Sequence, residues 1–263
     1  MQTLTRGIDL RAFLESLEFS EGKLLMLDYD GTLSPHRIER DKAVPYAGIR
    51  KILLEVLTAV DCRTVIVSGR SINDLISLLG IESGIEIWGC HGWERISPTG
   101  DYTGPELDDD KKAALGEAAE SAASQGLAGR LEVKTACVAI HWRGLGEIET
   151  AELVRTIGRR WEVIAEKSKM EMHEFNGGIE MRPGGMDKGM VVDRLLSESG
   201  GPAAYLGDDF TDEDAFRAIS GRGIGILVSP ELRETAADVW LTPPEELIWF
   251  LERWIEKCGK AHE

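Results

Sequence analysis

Basic residues are scarce in this chain. Its 30 lysines and arginines stand against 46 aspartates and glutamates, a formal net charge of −16 at pH 7. A duplex or other polyanion is held by Lys and Arg displacing counterions, so this deficit excludes nucleic-acid partners and disfavours anionic membrane surfaces. Cysteine is sparse as well. Cys62, Cys90, Cys137 and Cys258 are far apart, with no C-x-x-C pair and no histidine at zinc-finger spacing, and they read as reduced packing residues. No apolar run approaches the length of a membrane span, and the first residues alternate charged and apolar positions where a secretory signal needs an unbroken apolar stretch. A cytoplasmic protein is expected. The P-loop, the G-x-S-x-G elbow and H-E-x-x-H are all missing.

What is present is the composition of an ordinary globule, 43 % hydrophobic and 29 % charged over 263 residues, enough for one large domain with a smaller insert. Three short apolar runs end abruptly in small or acidic residues: Leu24–Leu27 before Asp28, Val65–Val67 before Ser68, and Ala203–Leu206 before Gly207. Continuous hydrophobicity of this length suits strands buried on both faces of a parallel sheet. Two of the runs lead into helical patterns, with capping-box spacing at Ser71/Asp74 and again at Thr211/Asp214. The fold class is therefore α/β. Residues 97–180 have another texture. A polar loop, an Ala-rich helix near 111–123, the segment LEVKTACVAIHWR and a helix near 149–161 suggest an inserted module. Within LEVKTACVAIHWR the apolar parity switches, which implies a hairpin turning near Thr135. The expected division is core 1–96, insert 97–180 and core 181–263.

The chemistry-bearing residues gather at the ends of those runs. Asp28 and Asp30, in D-Y-D-G-T after a buried strand, would project into the cleft beyond the sheet's carboxyl edge, placed as a nucleophile and a separate acid/base. An acidic turn is the plainer alternative. After the third run, Asp208, Asp209, Asp212, Glu213 and Asp214 put five acidic groups in seven positions. A helix N-terminus accounts for the last three but not for Asp208 and Asp209. If these converge on Asp28, like charges at ~4 Å repel by roughly 4 kcal/mol per pair at a dielectric of ~20, and an all-oxygen set answers that with a hard cation such as Mg²⁺. Ser68, Gly69 and Arg70 offer an anion site at a helix start, and Lys188 would supply a point charge for a phosphoryl oxygen, surface decoration being the plainer alternative for each taken alone.

DYDGTL from Asp28, SGR from Ser68, HGWE from His91, Glu180-Met181-Arg182-Pro183 with Lys188-Gly189, and GDDFTDE from Gly207 stand in an order that resembles the haloacid dehalogenase superfamily, more narrowly its trehalose-6-phosphate phosphatase branch. The resemblance implies a Rossmann-like parallel-sheet core with an inserted α/β cap. It implies a Mg²⁺-dependent phosphatase in which Asp28 attacks phosphorus and Asp30 protonates the leaving oxygen, then activates water. Ser68 and Lys188 would hold phosphoryl oxygens. Asp28, Asp30 through its carbonyl, and Asp208 would hold the metal, supported by Asp209 or Asp212. Gly69, Arg70, His91, Gly92 and Glu94 on the core, with Glu132, Lys134, His141, Arg143 and Glu180 on the cap, would meet the substrate. The expected partner is a small sugar phosphate, with a functional link to a trehalose-phosphate synthase, and the protein is expected to be a monomer. Asn176 stands where many members carry a basic residue, and the family's H-Y-R reads His141-Trp142-Arg143. Sucrose phosphate and glucosylglycerol phosphate are therefore alternative substrates, and a silent sugar-phosphate-binding module is the alternative of another class.

Overall fold

The computed structural model describes residues 1–58 and 62–259, and it separates into two compact units, Met1–Thr103 with Asp187–Glu263 and Gly104–Met186. The strands are β1 (Gln2–Thr3), β2 (Lys23–Leu27), β3 (Cys62–Val67), β4 (Glu86–Gly89), β5 (Glu94–Ile96), β6 (Tyr102–Thr103), β7 (Leu131–Val133), β8 (Val138–His141), β9 (Met170–Phe175), β10 (Gly178–Pro183), β11 (Ala203–Gly207), β12 (Ile224–Val228) and β13 (Val239–Leu241). The helices are α1 (Leu10–Ser16), α2 (Ile49–Thr58), α3 (Ile72–Leu79), α4 (Asp109–Ala123), α5 (Glu147–Leu153), α6 (Arg159–Ser168), α7 (Lys188–Glu198), α8 (Glu213–Ile219) and α9 (Glu245–Cys258).

The first unit is built on a nine-stranded sheet in the order β1-β13-β12-β11-β2-β3-β4-β5-β6. The six strands from β13 to β4 run parallel, and antiparallel strands close both edges. The three apolar runs are β2, β3 and β11, side by side at the centre, and every residue of β2 and β11 is buried. From β2 the chain moves outward through β3 and β4, whereas β11 leads outward the other way. The junction of β2 and β11 is thus the point where the strand order reverses, and in open α/β sheets the crevice forms there, past the carboxyl ends. One face of the sheet packs against α9, whose Phe250 and Trp254 are fully buried with Leu25, Leu27 and Ile66.

The second unit is a four-stranded antiparallel sheet, β7-β8-β10-β9. The hairpin turns where the parity switch requires. Val133 pairs with Val138, and the Lys134 N–H reaches the Cys137 carbonyl at 2.8 Å, so Thr135 and Ala136 form the turn. Alternation then sorts this sheet's two faces. Val138, Ile140 and Met181 pack with Trp161 of α6 and the Ala-rich face of α4, while Glu132, His141 and Glu180 fall on the opposite face.

The boundaries expected at 97 and 181 both fall later in the chain, at 104 and 187. Tyr102–Thr103 extends the edge of the large sheet, and Met181–Pro183 are still paired with β9, so residues up to 103 stay with the first unit and those up to 186 with the second. Helix α8 also differs. The Thr211/Asp214 box does not form; Asp209 accepts from the Thr211 N–H at 2.7 Å and α8 begins at Glu213. The reason is Asp212, which is drawn into the core by groups described below. Among the described residues no helix is long and apolar enough to cross a membrane.

A buried carboxylate stabilises the β3–β4 edge. Glu86 accepts both Nε (2.9 Å) and Nη2 (3.0 Å) of Arg63, with Trp88 Nε1 and Arg95 Nε each at 3.0 Å. Burial pushes its carboxyl up, but Arg63, Trp88 and Arg95 together outweigh this and leave it below the usual carboxylate range. A depressed folded-state pKa gives stability that is complete above the unfolded value of about 4.3 and is lost as the pH falls through the folded value. Glu86→Gln is accordingly expected to lower stability by about 2 kcal/mol at pH 7 and by progressively less on acidification, as read by urea melts across pH.

Candidate functional site

Asp28, Ser68 and Asp208 follow β2, β3 and β11 directly, so the switch point gathers them at one edge. Asp28 is buried and its Oδ1 accepts from Lys188 Nζ at 2.7 Å. Lys188 opens α7, whose N-cap is Asp187, and the same ammonium meets Asp212 Oδ1 at 2.7 Å. Asp212 has no solvent exposure and each of its oxygens accepts twice. Oδ1 takes Lys188 and the Tyr205 hydroxyl (2.5 Å), and Oδ2 takes the backbone N–H groups of Asp208 and Asp209 at 3.0 Å each. Asp208 Oδ2 lies 2.8 Å from His36 Nε2. Gly31 has φ +85°, and a Cβ there would fall 2.0 Å from Asp208 Oδ2, so only glycine lets the Asp28–Thr32 loop and the acidic turn approach this closely.

Asp28, Asp208 and Asp212 each bring one carboxylate oxygen within 4.8 Å of the others. Burial pushes Asp28 well above the usual carboxylate range; Lys188 opposes the shift, and Asp212 and Asp208 add to it. Asp208 is pushed the same way by burial and then by Asp209 and Asp212. Asp209 goes down instead, because the Lys188 charge and the bonds from Thr211 outweigh its burial. Against its own burial, Lys188 is held firmly protonated by Asp212 and Asp28. Three carboxylates around one ammonium leave an excess of negative charge, and an all-oxygen donor set with no Cys or His in the group suits a hard divalent cation. Because Asp212 already accepts four hydrogen bonds, its part in such a site is support, leaving Asp28 and Asp208 as the carboxylates with oxygens to offer. The Asp209 carboxylate does not belong to this group of three, and Asp30 is expected to contribute only its carbonyl.

Asp30 is held elsewhere. Arg70 Nε and Nη2 grip its two oxygens at 2.6 and 2.7 Å, Nη1 of the same guanidinium reaches the Arg40 carbonyl at 3.0 Å, and the ring of Tyr29 lies 5.7 Å from its Cζ. Arg70, expected to bind substrate, thus orients the second aspartate. Ser68 is buried and its hydroxyl accepts the Arg70 N–H at 3.2 Å. Cys90 and His91 both adopt positive φ (49° and 57°), sparsely populated conformations for side-chain-bearing residues. The His91 ring lies against Gly69, where a Cβ would sit 2.6 Å from Nε2. Gly92 is buried in the same tight turn. Glu94 has a structural task, its Oε2 accepting the Ile72 N–H at 2.9 Å at the start of α3.

In the second unit the expected sugar contacts do cluster. Lys134 Nζ is 2.9 Å from Glu180 Oε2 and 3.5 Å from Glu132 Oε2, and His141 Nε2 is 2.9 Å from Glu132 Oε2. Burial pushes Glu180 up, but Lys134 and Arg182 outweigh it and hold it below the usual range. Arg143 lies against the Gly177 turn and donates to the Asn176 carbonyl, so the position that departs from the family pattern contributes its backbone to this group. Sequence reasoning missed Tyr205, His36 and Arg233. Only Tyr205 left a signal, a phenol in an otherwise aliphatic buried strand, which needs a partner for its hydroxyl.

A doubly wound sheet with Asp28, a buried lysine and an acidic turn at its switch point has the haloacid dehalogenase-like hydrolase fold. A haloacid dehalogenase-like hydrolase from B. subtilis shares the fold, with a TM-score of 0.56 at 16 % identity over 82 % of this chain and 93 % of that one. The trehalose-phosphatase family model matches residues 26–239, and the chain belongs to that family, whose members are phosphoric monoester hydrolases. It is 30 % identical over 271 residues to probable trehalose-phosphate phosphatase C of Arabidopsis thaliana, covering 94 % of this chain and 82 % of the relative. The C-terminal domain of C. albicans trehalose-6-phosphate phosphatase superposes with a TM-score of 0.79 at 20 % identity, covering 99 % and 100 % of the two chains.

Proposed function

We propose that the protein hydrolyses trehalose 6-phosphate to trehalose and inorganic phosphate with Mg²⁺, through an aspartyl phosphate on Asp28. The observation that carries this reading is the buried Asp28 carboxylate with Lys188 at 2.7 Å, at the switch point and beside a second aspartate held by Arg70. An Asp28 oxygen attacks phosphorus, the bond from phosphorus to the sugar oxygen breaks, and Asp30 gives that oxygen a proton. Asp30 then removes a proton from water, which attacks the same phosphorus, releasing phosphate and regenerating Asp28. Donation by Asp30 requires it to give up one of its two bonds to Arg70. Lys188 and Ser68 hold the phosphoryl oxygens, where positioning and charge neutralisation supply most of the acceleration. Asp28, Asp208 and the Asp30 carbonyl, with Asp212 in support, would hold Mg²⁺, which when bound would supply further positive charge against the transferring group.

In this proposal the polar face of the second unit reads the disaccharide, since buried groups built to bond hydroxyls penalise ligands that lack them. Glu180→Gln then raises KM for trehalose 6-phosphate by about 10- to 100-fold while leaving kcat/KM for p-nitrophenyl phosphate near wild type. The test of the function itself is a substrate panel. With Mg²⁺, kcat/KM ranks trehalose 6-phosphate above sucrose phosphate, glucosylglycerol phosphate and glucose 6-phosphate, and EDTA abolishes all turnover. Preference for another glycosyl phosphate moves the assignment to that ester, in line with Asn176 and Trp142. Thermal stabilisation by these ligands without phosphate release makes the protein a binding module.

A further inference from the structure

The backbone of the acidic turn is gripped from two sides. Asp212 accepts the N–H groups of Asp208 and Asp209, as described above, and Arg233, in the loop between β12 and β13, takes their carbonyls. Its Nε donates to the Asp208 carbonyl at 3.1 Å and its Nη2 to the Asp209 carbonyl at 2.7 Å. Its Nη1 donates to the Glu234 carbonyl at 2.9 Å and pairs with the Glu213 carboxylate, whose other oxygen accepts the Ala236 N–H at 2.8 Å. The guanidinium is largely buried, with the Phe210 ring 5.1 Å from its Cζ. A planar fork serves two adjacent carbonyls at once, which a single ammonium does not.

We propose that Arg233 is a positioning residue for the cation site: by fixing the Asp208–Asp209 backbone it aims the Asp208 carboxylate and sets the affinity for a divalent cation. Two convergent carbonyls beside three carboxylates repel one another, and without the guanidinium between them the turn opens. On the acidic turn Arg233 bonds to the peptide and not to the carboxylates of Asp28, Asp208 or Asp212, so it leaves the metal's ligands in place. Groups that orient metal ligands typically account for 10- to 100-fold in affinity. The inference rests on the metal reading of the proposed function.

Calorimetric titration of Mg²⁺ into the metal-free protein tests it without turnover. Arg233→Ala is expected to raise Kd by about 10- to 100-fold, with Arg233→Lys intermediate and Glu213→Gln weaker in the same direction. At saturating Mg²⁺ kcat returns to near the wild-type value. Arg233→Lys and Glu213→Gln keep the test open if the alanine variant does not fold. A fall in Tm with Kd unchanged in the variants reduces Arg233 to a structural staple and overturns the inference. Absence of Mg²⁺ binding by the wild type overturns the metal reading, and the inference with it.

Discussion

Asp28→Asn is expected to remove phosphatase activity, with kcat falling by at least about 1,000-fold, because the amide keeps the shape of the side chain and loses the nucleophile. The fold should survive. Lys188 keeps its bond to Asp212 and can still donate to the amide oxygen. One negative charge also leaves a cluster in which burial already disfavours it. The variant's Tm is expected at or above that of the wild type, so loss of activity together with a lowered Tm points to misfolding and leaves the nucleophile unassigned. A steady-state assay beside a melting curve separates the two outcomes. Full activity in Asp28→Asn excludes Asp28 as the attacking group.

The second large effect concerns the cation between the carboxylates. Lys188→Met leaves Asp28 and Asp212 buried with no counter-charge, and breaking a buried pair typically costs about 3–5 kcal/mol. The lower end is expected, because burial already pushes Asp28 above the usual carboxylate range, which eases its neutralisation once the ammonium is gone. About 3 kcal/mol corresponds to a Tm roughly 10 °C lower for a chain of this size. Activity should fall further than stability. The same lysine is proposed to meet a phosphoryl oxygen, and charge-stabilising groups of this kind contribute on the order of 10²–10³ in kcat. A stable and active Lys188→Met removes it from both roles.

The parts of this architecture that were legible in the sequence are those with a short-range cause. Residues buried on both faces must be apolar without interruption, so Leu24–Leu27, Val65–Val67 and Ala203–Leu206 mark β2, β3 and β11, and the next residues mark the ligand edge. The Thr135–Ala136 turn is legible because a two-residue loop shifts the alternation of every later position. Ser71 caps α3 through the Asp74 N–H at 3.2 Å, as its spacing suggests. The roles of long-range polar partners were hidden. Arg70 reads as an anion-binding residue until the fold brings Asp30, forty positions earlier, into its fork. The sequence likewise gives no sign that Glu94 accepts the Ile72 N–H at the start of α3, twenty-two positions earlier. Asp212 looks like one more acid at a helix start, yet Tyr205 and Lys188 pull it inward and displace the helix cap. No local pattern announces Arg233, whose partners on the acidic turn are defined by tertiary proximity.

Trapping the covalent intermediate tests Asp28-centred phosphoryl transfer most directly. Enzyme turning over trehalose 6-phosphate with Mg²⁺ is quenched in acid and its acyl phosphate reduced with borohydride, which converts a phosphorylated aspartate to homoserine. Peptide mapping should find homoserine at position 28 and nowhere else, with no conversion when substrate is omitted. Homoserine at Asp30, Asp208 or any other aspartate is incompatible with the mechanism proposed for this site.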